Sequence, residues 1–154
     1  MNLINGNQIA AQVLDELRTR ISSLENSKPS VVFVRVGNDP ASISYVKKKQ
    51  KTAESIGIDA GLKVFDESIS EDQLIAEIDS LNADCSIHGI LVQAPLPSHI
   101  NEVRVFNHVS PAKDVDGFNA VNLGKLCQEQ AHAFRSCTPA GICLLYTSPS
   151  PRDS

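Results

Sequence analysis

Apolar and polar positions recur along the chain with periods that change where secondary structure is expected to change. In residues 6–26 the apolar positions recur every three or four residues, at Ile9, Val13, Leu17, Ile21 and Leu24. This spacing predicts an amphipathic helix that ends before Lys28-Pro29. Residues 31–36 then read Val-Val-Phe-Val-Arg-Val, a β-branched run that is typical of a buried strand.

A second helix and a second strand follow this first strand. The turn at residues 37–40 places Asp39 at a helix N-cap and Pro40 at the first helical position. The sequence therefore predicts a helix over residues 40–56, and a weaker strand follows at residues 62–65.

A third helix and a third strand complete the pattern. Ser70 and Gln73 form a capping-box pattern that begins the helix. Residues 87–92 are again strand-like, and Pro95 and Pro97 interrupt regular structure after them. Strict alternation of helix and strand predicts an α/β fold of three layers, with a mostly parallel sheet flanked by helices.

Composition narrows the class of protein. The 154 residues are 42% hydrophobic and 21% charged, as expected for one globular domain, and the formal net charge is -4. The sequence contains no long basic block of the kind that binds nucleic acid and no apolar run of membrane-spanning length. The first residues lack the pattern of a signal peptide. We therefore expect a cytoplasmic protein without nucleic-acid or membrane partners.

Cysteines and the end of the chain carry little chemistry. The four cysteines, Cys85, Cys127, Cys137 and Cys143, form no Cys-x-x-Cys pair and have no histidine at ligand spacing, so no metal site is expected. After Gly141 the sequence loses its periodicity and ends in Ser, Pro, Arg and Asp residues. We expect a catalytic domain over residues 1–142 and a non-native tail over residues 143–154.

Three consecutive lysines in the second predicted helix raise the question of which one carries chemistry. On a helical wheel the stripe that faces the sheet consists of Ile43, Val46, Gln50 and Ala53. Lys47 lies on the opposite side and Lys48 beside it, so both are predicted to be solvated and dispensable. Lys49 instead aligns with Ser42 and Tyr45 at i, i+3, i+7 spacing.

The position of this helix favours a chemical role for Lys49. Because the helix begins directly after a strand, its first turns lie at the carboxyl edge of the sheet, where ligands bind in open α/β folds. Gln93 follows the next strong strand and reaches the same edge. A lysine in that crevice suits acid–base chemistry, whereas the alternative is a third solvated lysine.

A second group of polar residues surrounds Asp114 and Asp116, which flank one valine and precede Gly117. Two acids at a tight turn commonly cap and bend the chain. A carboxylate can also accept paired hydrogen bonds from an amidine-like group. Spacing alone leaves open which of the two acids points inward.

Four segments match one known family, in the family's order. They are Tyr-Val-Lys-Lys-Lys at 45–49, Gly-Ile-Leu-Val-Gln-Ala-Pro-Leu-Pro at 89–97, Pro-Ala-Lys-Asp-Val-Asp-Gly-Phe at 111–118 and Cys-Thr-Pro-Ala-Gly-Ile at 137–142. Over roughly residues 1–142 the chain resembles the N-terminal, folate-binding domain of bifunctional methylenetetrahydrofolate dehydrogenase/methenyltetrahydrofolate cyclohydrolase.

The resemblance implies an activity and catalytic residues. Such enzymes oxidise 5,10-methylenetetrahydrofolate with NADP and hydrolyse the methenyl product to 10-formyltetrahydrofolate. The lysine of the family lies four residues after its tyrosine, which selects Lys49 as the acid–base residue. The same match implies that Gln93 tunes this lysine and that Tyr45 packs against the folate ring system.

The resemblance also implies substrate-binding residues. Asp116 matches the second aspartate of the family's Asp-Val-Asp-Gly segment, which holds the pterin. Ser42 and Pro95 match residues that help to line the site. Pro139 and Gly141 belong to the segment that leads toward a second domain.

One departure from the family concerns the cofactor. The family binds NADP in a Rossmann domain, through which it largely forms a homodimer, and we expect this domain to be missing here. No two of the eight glycines are two positions apart, so the sequence has no dinucleotide-binding fingerprint. The sequence therefore predicts no hydride transfer by this chain alone, and leaves the choice between NADP and NAD open.

Two alternatives to an active folate domain remain. One is an inactive remnant that binds only folate or a partner subunit. The other is an unrelated α/β lyase in which Lys49 forms a Schiff base, and borohydride trapping with a carbonyl substrate distinguishes this lyase from the folate enzymes.

Overall fold

The computed structural model of the protein describes residues 5–24, 28–130 and 134–137. Helices and strands alternate through most of this range. In chain order they are α1 (Gly6–Ser22), β1 (Ser30–Val36), α2 (Pro40–Ser55), β2 (Asp59–Phe65), α3 (Glu71–Ala83), β3 (Gly89–Val92), α4 (Glu102–His108) and α5 (Ala120–Cys127). The three helices and three strands that the periodicity predicts are all present.

The three strands form one parallel sheet in the order β2-β1-β3. Strand β1 occupies the centre and pairs with β2 along its whole length, from Ser30 opposite Asp59 to Val36 opposite Phe65. Helices cover both faces, which confirms the predicted α/β class. The carboxyl ends of all three strands therefore meet at one edge of the sheet.

Strand boundaries differ from the prediction at β2 and β3. Strand β2 begins at Asp59 rather than residue 62, because pairing with β1 recruits three residues of weak strand propensity. Strand β3 begins at Gly89 rather than residue 87, because the amide of Ile87 donates to the carbonyl of Asp84 in a turn.

One face of the sheet carries the main hydrophobic core. Helices α3 and α4 pack there against alternate residues of β1 and β3. Its buried members are Val32, Val34, Val36, Leu74, Ile75, Ile78, Leu81, Ile87, Ile90, Val92, Leu96, Ile100, Val105 and Val109. A contiguous apolar cluster of this size provides most of the burial that stabilises the domain.

The opposite face, beneath α2, is packed by a much smaller cluster. Its buried members are Phe33, Val46, Ala60 and Leu91. The stripe predicted to face the sheet is correct for Val46, which is 1% exposed, but wrong for Ile43, which is 39% exposed. Ile43 lies in the first turn of α2, which follows the carboxyl end of β1, so less of the sheet lies beneath it.

Helix α1 begins at Gly6 as predicted, but it ends at Ser22 rather than at residue 26 and has no buried apolar face. Ile9 and Val13 are about half exposed, and none of the described residues of α1 is fully buried. The helix contacts the rest of the chain near its carboxyl end, where Arg18 Nε donates to the carbonyl of Ser55 over 3.3 Å. The amphipathic pattern therefore predicted the helix correctly although little of its apolar stripe is covered.

Two short helices, α4 and α5, were not predicted. Each has eight residues or fewer, too short for apolar periodicity to identify, and each begins at an asparagine N-cap, Asn101 for α4 and Asn119 for α5. Among the helices in the described part of the chain, none is both long and apolar enough to cross a membrane.

Candidate functional site

A cavity of about 740 Å³ opens on the α2 side of the sheet. It is bordered by α2, by β1 and β3, and by the loop that follows Lys113. The lining residues are Val31, Phe33, Tyr45, Lys48, Lys49, Thr52, Ala53, Ile56, Ile58, Leu91, Val92, Gln93, Ala94, Val115, Asp116, Phe118, Ser136 and Cys137. The volume is that of a typical small-molecule site, and one of its polar members, Gln93, lies at the carboxyl end of β3.

Tyr45 and Lys49 lie one helical turn apart on α2 and both line the cavity. The Lys49 ammonium is 4.8 Å from the centroid of the Tyr45 ring, which is a cation–π distance. Lys49 is half-buried, whereas Lys47 and Lys48 are exposed, as the helical wheel predicted. Lys48 nevertheless contributes to the lining of the cavity, which the wheel did not predict.

Gln93 follows β3 directly and is held at both its backbone and its side chain. Its backbone amide donates to the carbonyl of Val34 over 2.8 Å, and its Nε2 donates to the carbonyl of Ala94 over 2.6 Å. Its Oε1 is buried and has no hydrogen-bond partner among the described residues. A buried acceptor without a partner is costly, so this oxygen is suited to a donor that enters the cavity.

The two aspartates of the loop have different environments, which the sequence left undecided. Asp114 is 4% exposed and its Oδ2 accepts hydrogen bonds from the backbone amide of Asn119 and the side chain of Asn122. Asp116 is half-buried and lines the cavity. Gly117 makes the turn between Asp116 and Phe118 with a φ of +68°, a conformation that L side chains rarely adopt.

The environment of Asp116 alters its ionisation. Burial raises the pKa of the Asp116 carboxyl above its ordinary value, and the negative charge of Asp114 raises it further. The ammonium of Lys49 acts in the opposite direction, but burial is the larger cause. A carboxyl group with a raised pKa in a cavity is a typical feature of functional sites.

Ser42 and Pro95 do not line the cavity with the other predicted site residues. Ser42 is buried in the first turn of α2, where its backbone amide donates to the Asp39 carboxylate over 2.7 Å. Pro95 is exposed, although the adjacent Gln93 and Ala94 line the cavity. A substrate contact by Ser42 or Pro95 stays a prediction.

The apolar wall of the cavity contains residues that the sequence analysis did not single out as functional. Val31 and Phe33 come from β1, and Ile56 and Ile58 come from the end of α2 and the turn after it. Alternation along β1 was the available signal, because residues 31 and 33 share one face. The predicted linker residues Pro139 and Gly141, Cys143 and the predicted boundary at residue 142 lie outside the described residues.

Comparison with known proteins gives a consistent result. Residues 4–116 match the family model described as the tetrahydrofolate dehydrogenase/cyclohydrolase catalytic domain. The bifunctional protein FolD 1 of Lactobacillus johnsonii is 44% identical over 94% of this chain and 52% of its own length. The bifunctional protein FolD of Lawsonia intracellularis is 48% identical over 92% of this chain and 49% of its own. The chain spans about half the length of the curated relatives it matches.

Solved structures agree with the sequence comparison. The FolD enzyme of Campylobacter jejuni superposes with a TM-score of 0.90 at 37% identity, covering 94% of this chain and 52% of that one. The FolD enzyme of Trypanosoma brucei, solved with NADP cofactor and inhibitor, superposes with a TM-score of 0.87 at 29% identity, covering 94% of this chain and 50% of that one. The four-motif resemblance is thereby confirmed, and the chain belongs to the tetrahydrofolate dehydrogenase/cyclohydrolase family.

Proposed function

We propose that this chain forms the folate-binding half of a methylenetetrahydrofolate dehydrogenase/methenyltetrahydrofolate cyclohydrolase and carries the residues of the hydrolytic step. The observation that supports this most strongly is that Tyr45, Lys49, Gln93 and Asp116 line a single cavity. These residues come from a helix, a strand end and a loop, so the fold brings together groups that are up to 71 positions apart (116 − 45 = 71).

Asp116 is the proposed ligand of the pterin ring. The ring presents an amino group and a ring N–H that are adjacent and parallel, and one carboxylate can accept a hydrogen bond from each. Tyr45 provides a flat surface for stacking at the cavity. Phe118 lies two residues after Asp116 and lines the same cavity. Together these contacts would orient the folate with its reactive bridge toward Lys49.

Lys49 is the proposed proton-transfer group. In the hydrolytic step a water oxygen adds to the methenyl carbon, and the unprotonated Lys49 amine accepts a proton from that water. The hydroxyl of the adduct then loses its proton to solvent as the bond from this carbon to one ring nitrogen breaks, Lys49 returns its proton to that nitrogen, and formyltetrahydrofolate results. The Tyr45 ring faces the Lys49 ammonium and holds it near the cavity whenever it is protonated.

Gln93 is the proposed partner of Lys49. Its buried Oε1 has no partner among the described residues, and both side chains line the cavity. An amide oxygen accepts a hydrogen bond from an amine without adding charge beside a cationic methenyl substrate. Gln93 would therefore orient the lysine without stabilising its charged form as strongly as a carboxylate would.

The described residues do not fit the nicotinamide cofactor of the longer relatives. A dinucleotide pyrophosphate binds at a glycine-rich turn that leads into a helix N-terminus. At the start of α2 that position is occupied by the Asp39 carboxylate, and the first turn of α3 contains Glu71 and Asp72. Negative charge at both helix starts disfavours a pyrophosphate there, so we assign no hydride transfer to this chain alone.

The hydrolytic assignment is tested with methenyltetrahydrofolate and the purified chain. Loss of methenyl absorbance, corrected for the buffer rate, is measured for the unmodified chain, for Lys49→Gln and for Lys47→Gln as the matched control. We expect Lys49→Gln to reduce the catalysed rate by about 10²–10⁴-fold, the usual contribution of acid–base catalysis, and Lys47→Gln to leave it unchanged. An equal loss in both variants contradicts the role of Lys49.

Calorimetric titration with 5-formyltetrahydrofolate tests the binding part of the proposal separately. Saturable binding without hydrolysis would identify the chain as a folate-binding remnant. Absence of both binding and hydrolysis in the folded chain would contradict the proposed function as a whole.

A further inference from the structure

The loop that carries Asp116 is anchored by a buried polar network. The loop runs beside β3, where the amide of Ile90 donates to the carbonyl of Lys113 over 2.7 Å. Asp114, Asn119 and Asn122 lie behind it and are 4%, 3% and 1% exposed. Asparagine and aspartate are mostly exposed in proteins, so three of them buried side by side point to a role for the hydrogen bonds between them.

The network converges on one oxygen atom. The backbone amide of Asn119 and the side-chain Nδ2 of Asn122 both donate to Oδ2 of Asp114, each over 2.9 Å. Asp114 is two residues before Asp116, and the turn between Asp114 and Gly117 is closed by a backbone contact of 3.4 Å. The direction of the Asp116 side chain therefore depends on where Asp114 is held.

The outer bonds of the network fix the flanking backbone. Asn122 Nδ2 also donates to the carbonyl of Pro111 over 2.9 Å, before the loop. Asn119 Nδ2 donates to the carbonyl of Val109 over 2.9 Å and to that of Asn107 over 3.2 Å. The two asparagines thus tie the start and the end of the loop to the same carboxylate.

The buried network places a second negative charge near Asp116, which apolar packing of the same loop would avoid. A buried Asp114 carboxylate lies close enough to Asp116 to oppose its ionisation. Buried ion pairs can often be replaced by apolar residues of similar volume with no loss of stability, so burial of charge is not by itself a stabilising device. A hydrogen-bonded network provides one defined loop geometry, which apolar packing does not.

We propose that Asn122 is a positioning residue that acts through Asp114 to fix the direction of Asp116 toward the cavity. This inference rests on the proposed function, in which Asp116 binds the pterin. Asn122 does not line the cavity and so acts without touching the ligand.

The test measures the ionisation of Asp116 and the binding of folate in the same variants. Carboxyl carbon resonances report the Asp116 titration, with Lys49 and Asp114 as the charged groups that influence it. Calorimetry with 5-formyltetrahydrofolate reports binding. The variants are Asn122→Ala and the similarly branched Asn122→Leu, with Asn101→Ala as control, because Asn101 is the N-cap of α4.

We expect both Asn122 variants to weaken folate binding by about 10-fold or more. We also expect the pKa of Asp116 to move down toward its ordinary value, because a loosened loop exposes the carboxyl to water. Asn101→Ala should change neither. Asp114→Asn keeps an oxygen that can accept both bonds, so it should retain binding within about threefold, whereas Asp114→Ala should behave like the Asn122 variants.

Three results would overturn the positioning role. The first is a folded Asn122 variant with unchanged Asp116 titration, and the second is an equal shift in Asn101→Ala. The third is unfolding of both Asn122 variants while Asn101→Ala stays folded, because Asn122 would then be needed for the fold as a whole. If the unmodified chain binds no folate, the proposed function fails, yet the titration still decides whether Asn122 positions Asp116.

Discussion

The two faces of the sheet use the same strands for different purposes. On the α3 and α4 face, Val34 is fully buried within the main core. On the α2 face, the adjacent Phe33 belongs to a small cluster and lines the large cavity. Alternation along β1 thus assigns one residue to stability and the next to the site. Stability and ligand binding should accordingly be separable by substitutions on opposite faces.

The largest expected effect concerns stability. Ile78 is fully buried on the packed face, whereas Ile58 lines the open cavity and is only half-buried. Ile78→Ala should lower the free energy of unfolding by about 2–5 kcal/mol, because it leaves a cavity in the core. Ile58→Ala should lower it by clearly less, because part of that side chain already faces the open cavity.

Urea unfolding followed by circular dichroism measures both variants. Complete loss of structure in Ile78→Ala is also consistent with the expectation, provided that Ile58→Ala remains folded. Equal destabilisation by the two substitutions would show that the α2 face is packed as tightly as the other and would remove the contrast.

The second effect concerns binding and separates the two aspartates. Asp116→Ala should weaken binding of 5-formyltetrahydrofolate by about 1.5–3 kcal/mol, the usual contribution of hydrogen bonds to a charged group. It should leave the fold intact, because Asp116 lies at the cavity and not in the core. Calorimetric titration gives the affinity, and circular dichroism checks the fold.

The matched variant is Asp114→Ala. It leaves the buried donors of Asn119 and Asn122 without their acceptor, so it should destabilise the domain as well as weaken binding. Asp114→Ala that weakens binding more than Asp116→Ala while the stability is unchanged would reverse the two roles.

The third effect is smaller and concerns the neighbouring lysines. The sequence analysis treated Lys47 and Lys48 alike, but only Lys48 lines the cavity. The tail of tetrahydrofolate carries carboxylates, so Lys48→Gln should weaken binding by up to about 1 kcal/mol, as for an exposed ion pair. Lys47→Gln should have no measurable effect.

Salt provides the control for this pair of lysines. Because exposed charges are screened, the difference between Lys48→Gln and the unmodified chain should disappear at about 1 M salt. A difference that persists there would mean that Lys48 contacts the ligand by something other than exposed charge.

The sequence predicted the elements of the fold better than it predicted the contacts of the site. Helix α2 and its N-cap at Asp39 were predicted correctly because strand, turn and helix signals are local in the sequence. Lys49 was distinguished from its neighbours because position on a helix follows from spacing. The burial of Ile43 was predicted wrongly, because spacing does not show how far the sheet extends beneath a helix.

The parts of the site that could not be predicted depend on contacts between distant residues. Only the folded chain shows that Asn122 donates a hydrogen bond to Asp114. The Asp114 side chain is therefore buried in the protein interior, whereas Asp116 lines the cavity. The exposure of apolar side chains of α1, such as Ile9, could not be predicted either. It depends on which elements pack against the helix, and the periodicity of the helix does not show this.

The smallest expected effect links the site to stability through pH. The pKa of Asp116 is raised in the folded chain, chiefly by burial, from an ordinary value of 3.8. Folding therefore favours the protonated carboxyl, and the stability that this contributes is fully present below pH 3.8 and is lost as the pH rises through the folded pKa. Asp116→Asn, which is always neutral, should be slightly more stable than the unmodified chain at pH 7, and the difference should vanish in acid.

Unfolding by urea at a series of pH values measures this difference directly, with Asp66→Asn as a control of opposite sign. Hydrogen bonds from Ser68 lower the pKa of Asp66, so its ionised form stabilises the fold. That contribution is present above pH 3.8 and is lost as the pH falls through the lowered pKa. Asp66→Asn should thus be less stable than the unmodified chain at pH 7. If Asp116→Asn is instead destabilised at neutral pH, the Asp116 carboxylate has a stabilising partner, and the cavity face contributes to the fold as well as to the site.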